Sequence, residues 1–310
     1  MKIGLIDVDG HNYPNLPLMK LSAWHKAQGD HVEWYQPLFS GHMDRVYMSK
    51  VFSFTPDYEW CVDADEVIKG GSGYCISTID GKEIFDKTKD IQLPDEIEHI
   101  YPDYTIYPEY CSDTAYGFLT RGCPRQCGFC HVKDKEGCKA YKVANLSEFW
   151  RGQKNIILND PNILACKDHM ELLEQLVESK ANVEFNQGLD IRLVNERNLE
   201  LLKQIRLKNI HFAFDRYEDK DIIKPKMQMV KDITGWNKDK GRVTCFILVN
   251  YNTTLEQDIE RIQYCRSLRW VPYPMIYDKE HCDPVYKRLQ RWCNNFIFWK
   301  VSTFEEYGKE

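Results

Sequence analysis

The chain has 310 residues, of which 43% are hydrophobic and 28% are charged, a composition typical of a globular protein. Its formal net charge of -6 argues against a broad, sequence-independent contact with nucleic acid phosphates. No segment approaches the roughly 18 apolar residues of a membrane span, and the N-terminus lacks the apolar core of a secretory signal. We therefore expect a cytoplasmic protein with no membrane partner and no clear nucleic-acid-binding module. Its 12 cysteines are then thiols or metal ligands rather than disulfides.

The first third of the chain predicts a small α/β domain. An apolar run at residues 2–7 is followed by a helix-spaced segment from Leu16 to Trp24 that ends at Gly29. Segments 31–36, 46–54 and 65–71 are rich in β-branched and aromatic residues, as strands are. This strand–helix–strand order indicates a small Rossmann-like sheet. No GxGxxG follows the first strand, so the dinucleotide-binding fingerprint is missing.

A segment rich in proline and tyrosine, residues 94–114, predicts the domain junction, because prolines at this density disfavour both helices and central strands. We place the first domain at residues 1–112. The five tyrosines of the region either line a substrate opening or pack as part of a linker on the domain surface, and amphipathic tyrosine packing favours the linker. They are Tyr101, Tyr104, Tyr107, Tyr110 and Tyr116.

A regular alternation of strands and helices follows. The predicted strands are 115–120, 155–160, 183–190, 209–215, 243–250 and 270–277. Helical spacing of apolar residues predicts helices that include 169–180, 195–206, 255–268 and 283–295. Strands that alternate with helices form parallel sheets with right-handed crossovers. Six units fall short of the eight of a TIM barrel, so we expect a partial (β/α)6 TIM-like barrel.

A cysteine triplet follows the first strand of this region. Cys123, Cys127 and Cys130 have Cys-x3-Cys-x2-Cys spacing. Three thiolates on one short loop would leave one iron of a [4Fe–4S] cluster open for another ligand. A zinc site with His131 or Cys138 as fourth ligand is the structural alternative, although no second ligand couple follows. A ferredoxin-type centre would need a fourth cysteine at a spacing that this chain does not have.

At these residues the sequence resembles the radical S-adenosylmethionine (SAM) superfamily, whose signature is CxxxCxΦC with an aromatic residue, here Phe129, at Φ. The resemblance covers about residues 113–280 and implies a barrel domain, which we place at 113–300, with a tail at 301–310. It implies a [4Fe–4S] cluster and SAM, which is cleaved reductively to a 5′-deoxyadenosyl radical that abstracts hydrogen from substrate. An electron donor such as flavodoxin or ferredoxin is also implied. The substrate and the catalytic residues stay unknown.

The resemblance also implies residues on the SAM side of the site. It puts Phe129 beside the adenine, and Asn159 and Asp160 where related proteins contact the SAM amino group. The stretch from Gln187 to Arg192 resembles a QGLDIR-like segment that faces the SAM carboxylate and ribose. Asn159 and Asp160 also fit an ordinary turn, because asparagine and aspartate are common turn residues. Arg192 also fits a surface pair with Glu196.

Asp215, at the end of the fourth strand, is a weaker ribose-side candidate. The backbone near Ile276 on the sixth strand is an adenine-side candidate, although an apolar strand requires no such role. The Rossmann-like domain resembles the cobalamin-binding domain of some radical SAM proteins, and His11 gives part of the Asp-x-His-x-x-Gly motif. Pro14 breaks that motif. We therefore do not expect cobalamin, and a cobalamin-dependent methyltransferase and a non-catalytic zinc or iron–sulfur protein stay as alternatives.

Overall fold

A computed structural model describes residues 1–10, 13–79 and 82–307. The chain forms two compact units, Met1–Ile156 and Ile157–Glu310. This division follows packing, and the boundaries predicted at 112/113 and 300/301 stay predictions. Among the described residues, no helix is both long and apolar enough to cross a membrane.

The first unit contains a four-stranded parallel sheet, as the sequence predicts. Its strands are β1 (Lys2–Asp7), β2 (His31–Trp34), β3 (Met43–Ser49) and β4 (Ala64–Gly70). The strand order is β2-β1-β3-β4, and every neighbouring pair is parallel. Helix α1 (Leu16–Ala27) connects β1 to β2. The α/β class is therefore confirmed for this part of the chain.

Local signals explain where α1 begins and ends. Asn15 accepts a hydrogen bond from the backbone N–H of Leu18, and a proline lies in the first turn. Gly29, with φ of 83°, follows the end of the helix in the left-handed conformation that glycine adopts without strain. The apolar face of α1 packs on Ile3 and Leu5 of β1.

Strand β3 ends five residues earlier than the prediction of 46–54. Residues 50–54 are not a strand, because the backbone N–H groups of Val51 and Phe52 donate to the carboxylate of Asp9 instead of to a neighbouring strand. The carboxylate of Asp9 also accepts from the hydroxyl of Thr55, at 2.7 Å. The apolar composition of the segment predicted a strand, but a side-chain acceptor from the end of β1 determines its conformation.

Short elements fill the rest of the first unit. The strands are β5 (Ile76–Ile79), β6 (Lys82–Phe85), β7 (Thr114–Gly117), β8 (Thr120–Arg121) and β9 (Tyr141–Lys142). The helices are α2 (Ser72–Cys75), α3 (Asp95–Glu98), α4 (Pro108–Cys111) and α5 (Val132–Lys135). The pairs β5–β6 and β8–β9 are antiparallel. The sequence did not predict the β5–β6 pair.

Two tyrosines of the proline- and tyrosine-rich segment are anchored inside the first unit. Tyr104 donates its hydroxyl to the carbonyl oxygen of Phe149, at 2.7 Å. Tyr107 is 2% exposed and donates to a carboxylate oxygen of Asp7, at 2.7 Å. Both hydroxyls therefore form hydrogen bonds within the first unit, as expected if the segment is a linker packed on the domain surface.

Asp7 gives a pH-dependent prediction. Burial raises the pKa of Asp7 to about 6, although the hydrogen bond from Tyr107 opposes the rise. The pKa of the carboxyl is higher in the folded chain than in the unfolded chain, so stability falls as the pH rises from about 4 to 6. We expect Asp7→Asn, which stays neutral and can still accept from Tyr107, to be about 1–3 kcal/mol more stable than the wild type at pH 7.5. The two proteins should become equal near pH 4.

Urea unfolding of both proteins at pH 4.5, 6 and 7.5 measures this difference. Asn15→Ala, which removes the cap of α1 and has no titratable group, is the control and should give a pH-independent change. An Asp7→Asn variant that is equally or less stable than the wild type at pH 7.5 would contradict the prediction.

A six-stranded sheet contains β7 and five later strands, β10 to β14. These are β10 (Asn155–Leu158), β11 (Asn182–Phe185), β12 (Arg206–Ala213), β13 (Val243–Val249) and β14 (Val271–Ile276). The order is β14-β13-β12-β11-β10-β7, and β11 to β14 pair in parallel. The division between the two units falls inside β10. All six predicted strands are present, but β11 ends at Phe185, five residues before the predicted end at residue 190. Closure into a partial barrel stays a prediction.

Five long helices alternate with these strands. They are α6 (His169–Ser179), α7 (Glu196–Gln204), α8 (Lys220–Thr234), α9 (Leu255–Ser267) and α10 (Pro284–Cys293). Four match predicted helices within two residues at each end. Helix α8 was not among those predicted, and it contains Pro225, which lacks the N–H that a helix interior uses. Its buried residues Ile223, Met227 and Val230 form an apolar stripe that outweighs this loss.

Candidate functional site

The cysteine triplet lies on the loop that follows β8. Cys123, Cys127 and Cys130 are each half-buried. None of the 12 cysteines, all of which lie in the described part of the chain, forms a disulfide. The backbone N–H of Cys130 donates to the carbonyl oxygen of Cys127, at 3.2 Å, which forms a tight turn between these two residues.

A clamp closes the base of this loop. The carboxylate of Glu136 accepts from the backbone N–H of Gly122, at 2.9 Å, and pairs with Arg121, at 3.0 Å. Gly122 has φ of 76°, and a Cβ atom there would lie 2.2 Å from the carbonyl oxygen of Lys139. Only glycine fits this approach, because any side chain would collide with rigid backbone. The backbone N–H of Cys123 donates to the carbonyl oxygen of Gly137, at 3.2 Å.

The sequence identified the cysteines but not this clamp. The guanidinium of Arg121 also stacks on the ring of Phe118, 3.4 Å from its centroid. The side chains of Phe118, Arg121 and Glu136 therefore connect the end of β7 to the far end of the cysteine loop. Arg121 and Glu136 are 15 residues apart, a separation at which no local pattern indicates pairing.

We expect Glu136→Gln to weaken the hold of the loop on a metal cluster. The substitution removes the charge that pairs with Arg121 and weakens the acceptor for Gly122, at a cost of about 1–2 kcal/mol. Iron per chain after anaerobic reconstitution and gel filtration should fall at least about twofold, and the iron that remains should be lost faster to a chelator.

Asp134→Asn is the matched control, since it neutralises an exposed carboxylate of the same loop. That variant should hold as much iron as the wild type. Equal iron content and equal chelator kinetics in Glu136→Gln and the wild type would show that the clamp does not support the cluster.

The side chains proposed for a zinc site have other surroundings. The Nε2 atom of His131 lies 3.2 Å from a carboxylate oxygen of Glu83, and Cys138 is exposed. Over residues 1–10, 13–79 and 82–307, no three or more His, Cys, Asp or Glu side chains are gathered as a group that could hold a metal ion. This finding includes the triplet. His11, the partial cobalamin motif, lies outside the described residues.

The donor set of the cysteine loop nevertheless fits an iron–sulfur cluster in its chemistry. A [4Fe–4S] cluster takes thiolate ligands, and three unoxidised, half-buried thiols follow one another on a loop whose base is fixed. Phe129, the aromatic residue before the last cysteine, is also half-buried. Cys123, Cys127 and Cys130 are thus the residues that would hold such a cluster.

In the second unit, polar side chains gather after β10 and β11. Asp160 is 3% exposed, and Asn159 accepts from the side-chain amide of Asn186, at 2.9 Å. Asn162 donates to the carboxylate of Asp190, at 3.2 Å. The turn after β10 is therefore tied to the segment after β11.

Arg192 extends this network. Its guanidinium pairs with Asp190 at 2.7 Å and with Asp219 at 2.7 Å, and not with Glu196. Three of the five N–H groups of the guanidinium make these bonds, so two stay available to another acceptor. Two carboxylates around one guanidinium give the group a net negative charge, which favours a cationic ligand.

Asp215 lies beside a fully buried ion pair that sequence reasoning missed. One of its carboxylate oxygens accepts from the backbone N–H of Leu248, at 3.0 Å, and burial raises its pKa. The guanidinium of Arg261, on α9, donates to the carbonyl oxygens of Asp215 and Leu248 and pairs with Asp258. Arg261 and Asp258 are both 0% exposed. This pair fixes the segment just after β12, which includes Asp215, to the end of β13.

The remaining SAM-side candidates are not part of these networks. Gln187 is exposed, and Ile276 is half-buried as the last residue of β14. Of the predicted residues in the second unit, Asp190 and Arg192 are joined directly. Within the described residues, neither Gln187 nor Ile276 makes a hydrogen bond or an ion pair with Asp190 or Arg192.

Comparison with known proteins adds no family to these observations. No protein-family model matches the chain. No curated protein matches it either. The functional argument therefore depends on the residues themselves.

Proposed function

We propose that the protein is a radical SAM enzyme that holds one [4Fe–4S] cluster and cleaves SAM reductively. The observation that carries the proposal is the triplet Cys123, Cys127 and Cys130, which has the radical SAM spacing and lies half-buried on a clamped loop, with no disulfide between its members. Three cysteines would leave one iron open to SAM. When bound, the cluster supplies the electron that breaks a carbon–sulfur bond of SAM.

The chain's own residues would position this chemistry. Glu136 and Arg121 hold the base of the cysteine loop, which limits its motion around a cluster. Phe129 presents an aromatic surface between the second and third cysteines, as the resemblance to the superfamily expects. Protein groups around a metal site orient its ligands and restrict solvent access.

The second unit offers acidic groups for the cationic parts of SAM. SAM carries a positive sulfonium and, at neutral pH, a positive ammonium. The network of Asp190, Arg192 and Asp219 has a formal charge of -1, from two carboxylates and one guanidinium, and Asp160 is a further buried carboxyl group. Arg192 keeps two N–H groups for the SAM carboxylate.

The fold supports the same proposal at a coarser level. Six strands that alternate with helices are the elements of a partial (β/α)6 barrel, and ligands of parallel α/β folds collect at the carboxyl ends of strands. Asp160 and Asp215 each follow within two residues of such an end. An external one-electron donor of the flavodoxin or ferredoxin type would reduce the cluster.

Electron paramagnetic resonance of the reduced, anaerobically reconstituted protein tests SAM binding. We expect a [4Fe–4S]⁺ signal that changes shape when SAM is added and does not change with 5′-methylthioadenosine, which lacks the amino and carboxylate groups of SAM, at the same concentration. The double variant Asp160→Asn/Asp190→Asn should require several-fold more SAM for the same change. A clear cluster signal that SAM leaves unaltered would exclude SAM as a ligand of the open iron.

A further inference from the structure

Strand β4 forms an open edge of the four-stranded sheet. It is the last strand in the order β2-β1-β3-β4, and it pairs with β3 on one side only. In the part of the chain that the structure describes, no strand pairs with its outer side. Four of its seven residues are exposed, and the other three are half-buried. A seven-residue edge presents a row of backbone donors and acceptors to any further strand.

Apolar side chains are exposed on β4 and on the segment that connects β3 to β4. Val67, in the middle of β4, is 40% exposed. The segment that connects β3 to β4 carries Phe54, which is 83% exposed, and Trp60, which is 69% exposed. Phe52 stacks on Phe54 with 5.2 Å between ring centroids. This concentration of exposed aromatic rings on one connection is typical of an interaction surface rather than of a free surface.

The charges on β4 are complementary to those of a second copy. Asp65 and Lys69 lie two residues before and two residues after Val67. If two β4 strands pair in antiparallel fashion about a two-fold axis through Val67, Asp65 of each chain lies opposite Lys69 of the other. Residues that face each other across antiparallel strands interact directly, and opposite charges there stabilise the pair. The valines meet at the axis, and Glu66 faces an isoleucine.

Charged residues on an edge strand commonly prevent pairing with another strand. Whether they prevent or favour pairing depends on which charges face each other. Like charges at equal distances from the centre would repel a second copy in this register. Asp65 and Lys69 carry opposite charges and attract a second copy. The two-fold symmetry forms the Asp65–Lys69 pair twice, once on each side of the axis. Within one chain, Asp65 pairs with His42 at 3.2 Å and Lys69 pairs with Asp57 at 2.9 Å, but these side chains are exposed. Such pairs contribute little and exchange easily.

We infer that the chain forms a homodimer through antiparallel pairing of β4 with β4 of a second copy, which joins two four-stranded sheets into one of eight strands. Two paired strands alone bury less than the roughly 1,200 Å² of a specific interface. The exposed rings of Phe52, Phe54 and Trp60, on the segment between β3 and β4, are apolar area that the same partner would cover. The inference concerns a surface of the first unit and does not depend on the proposed chemistry.

A charge exchange tests the register. Sedimentation velocity from about 1 to 100 µM should show a concentration-dependent dimer for the wild type. Lys69→Asp puts two aspartates opposite each other on both sides of the axis and should raise the dimer dissociation constant at least about tenfold. The double variant Asp65→Lys/Lys69→Asp restores opposite charges in the same register and should return the constant to within about threefold of wild type.

Asp57→Asn is the control for the contact of Lys69 within one chain, and it should leave the dimer unchanged. Circular dichroism of each variant confirms that the fold is retained. The inference is overturned if the wild type is monomeric across this range, if Lys69→Asp dimerises as the wild type does, or if the double variant stays as weak as Lys69→Asp.

Discussion

Replacing Cys127 with alanine is expected to remove nearly all iron from the anaerobically reconstituted protein. Cys127 is the middle member of the triplet, and the two cysteines that remain would bind only two irons of a cube. We expect at least about tenfold less iron and acid-labile sulfide per chain, because two ligands on one loop do not hold a cluster through gel filtration. SAM cleavage should be lost together with the cluster.

Cys138→Ala is the matched control for this prediction. Cys138 is an exposed cysteine eight residues after the last member of the triplet. It is a candidate fourth ligand in the zinc alternative. We expect Cys138→Ala to keep wild-type iron and sulfide. If Cys127→Ala and Cys138→Ala both lose a bound metal, and that metal is zinc in the wild type, the triplet belongs to a structural zinc site.

Replacing Arg261 with methionine is expected to lower the free energy of unfolding by about 3–5 kcal/mol. Arg261 and Asp258 are both fully buried, so the substitution leaves a carboxylate in the interior without its cation. It also removes the donors to the carbonyl oxygens of Phe214 and Leu248. Urea unfolding under anaerobic conditions measures the change.

The double variant Arg261→Met/Asp258→Leu should lose less stability than Arg261→Met alone, because it leaves no buried charge unpaired. Lys203→Met is the surface control. Lys203 makes an exposed pair with Glu200, and its loss should cost less than about 1 kcal/mol. A loss below about 1 kcal/mol in Arg261→Met would contradict the role of the buried pair as a clamp on β12 and β13.

The sequence predicted the sheet strands well because their signals are local. Strand β13, from Val243 to Val249, is a short apolar run rich in β-branched residues, and β10 is a shorter run of the same kind. Helix α8 shows where local signals fail, since Pro225 is unfavourable in a helix interior while tertiary packing of Met227 and Val230 stabilises it. The end of β3 was predicted too late because the backbone after it bonds to Asp9, 42 residues away in sequence.

The site was predictable where its residues follow one another and not where they meet through folding. The spacing of Cys123, Cys127 and Cys130 is visible in the chain itself. The partners of Arg192 are not, because Asp219 lies 27 residues away and no periodicity relates the two. The clamp between Arg121 and Glu136 was missed for the same reason. A buried Arg261 is also contrary to composition rules, by which arginine is mostly exposed.

Formation of 5′-deoxyadenosine tests the central claim most directly. The wild-type protein, reconstituted anaerobically and shown to hold a reducible iron–sulfur cluster, is incubated with SAM and dithionite, and the products are separated by liquid chromatography and identified by mass. Our account predicts 5′-deoxyadenosine from the wild type and from Cys138→Ala, and none from Cys127→Ala. A protein that holds zinc instead of iron, or equal amounts of product from the wild type and Cys127→Ala, would contradict it.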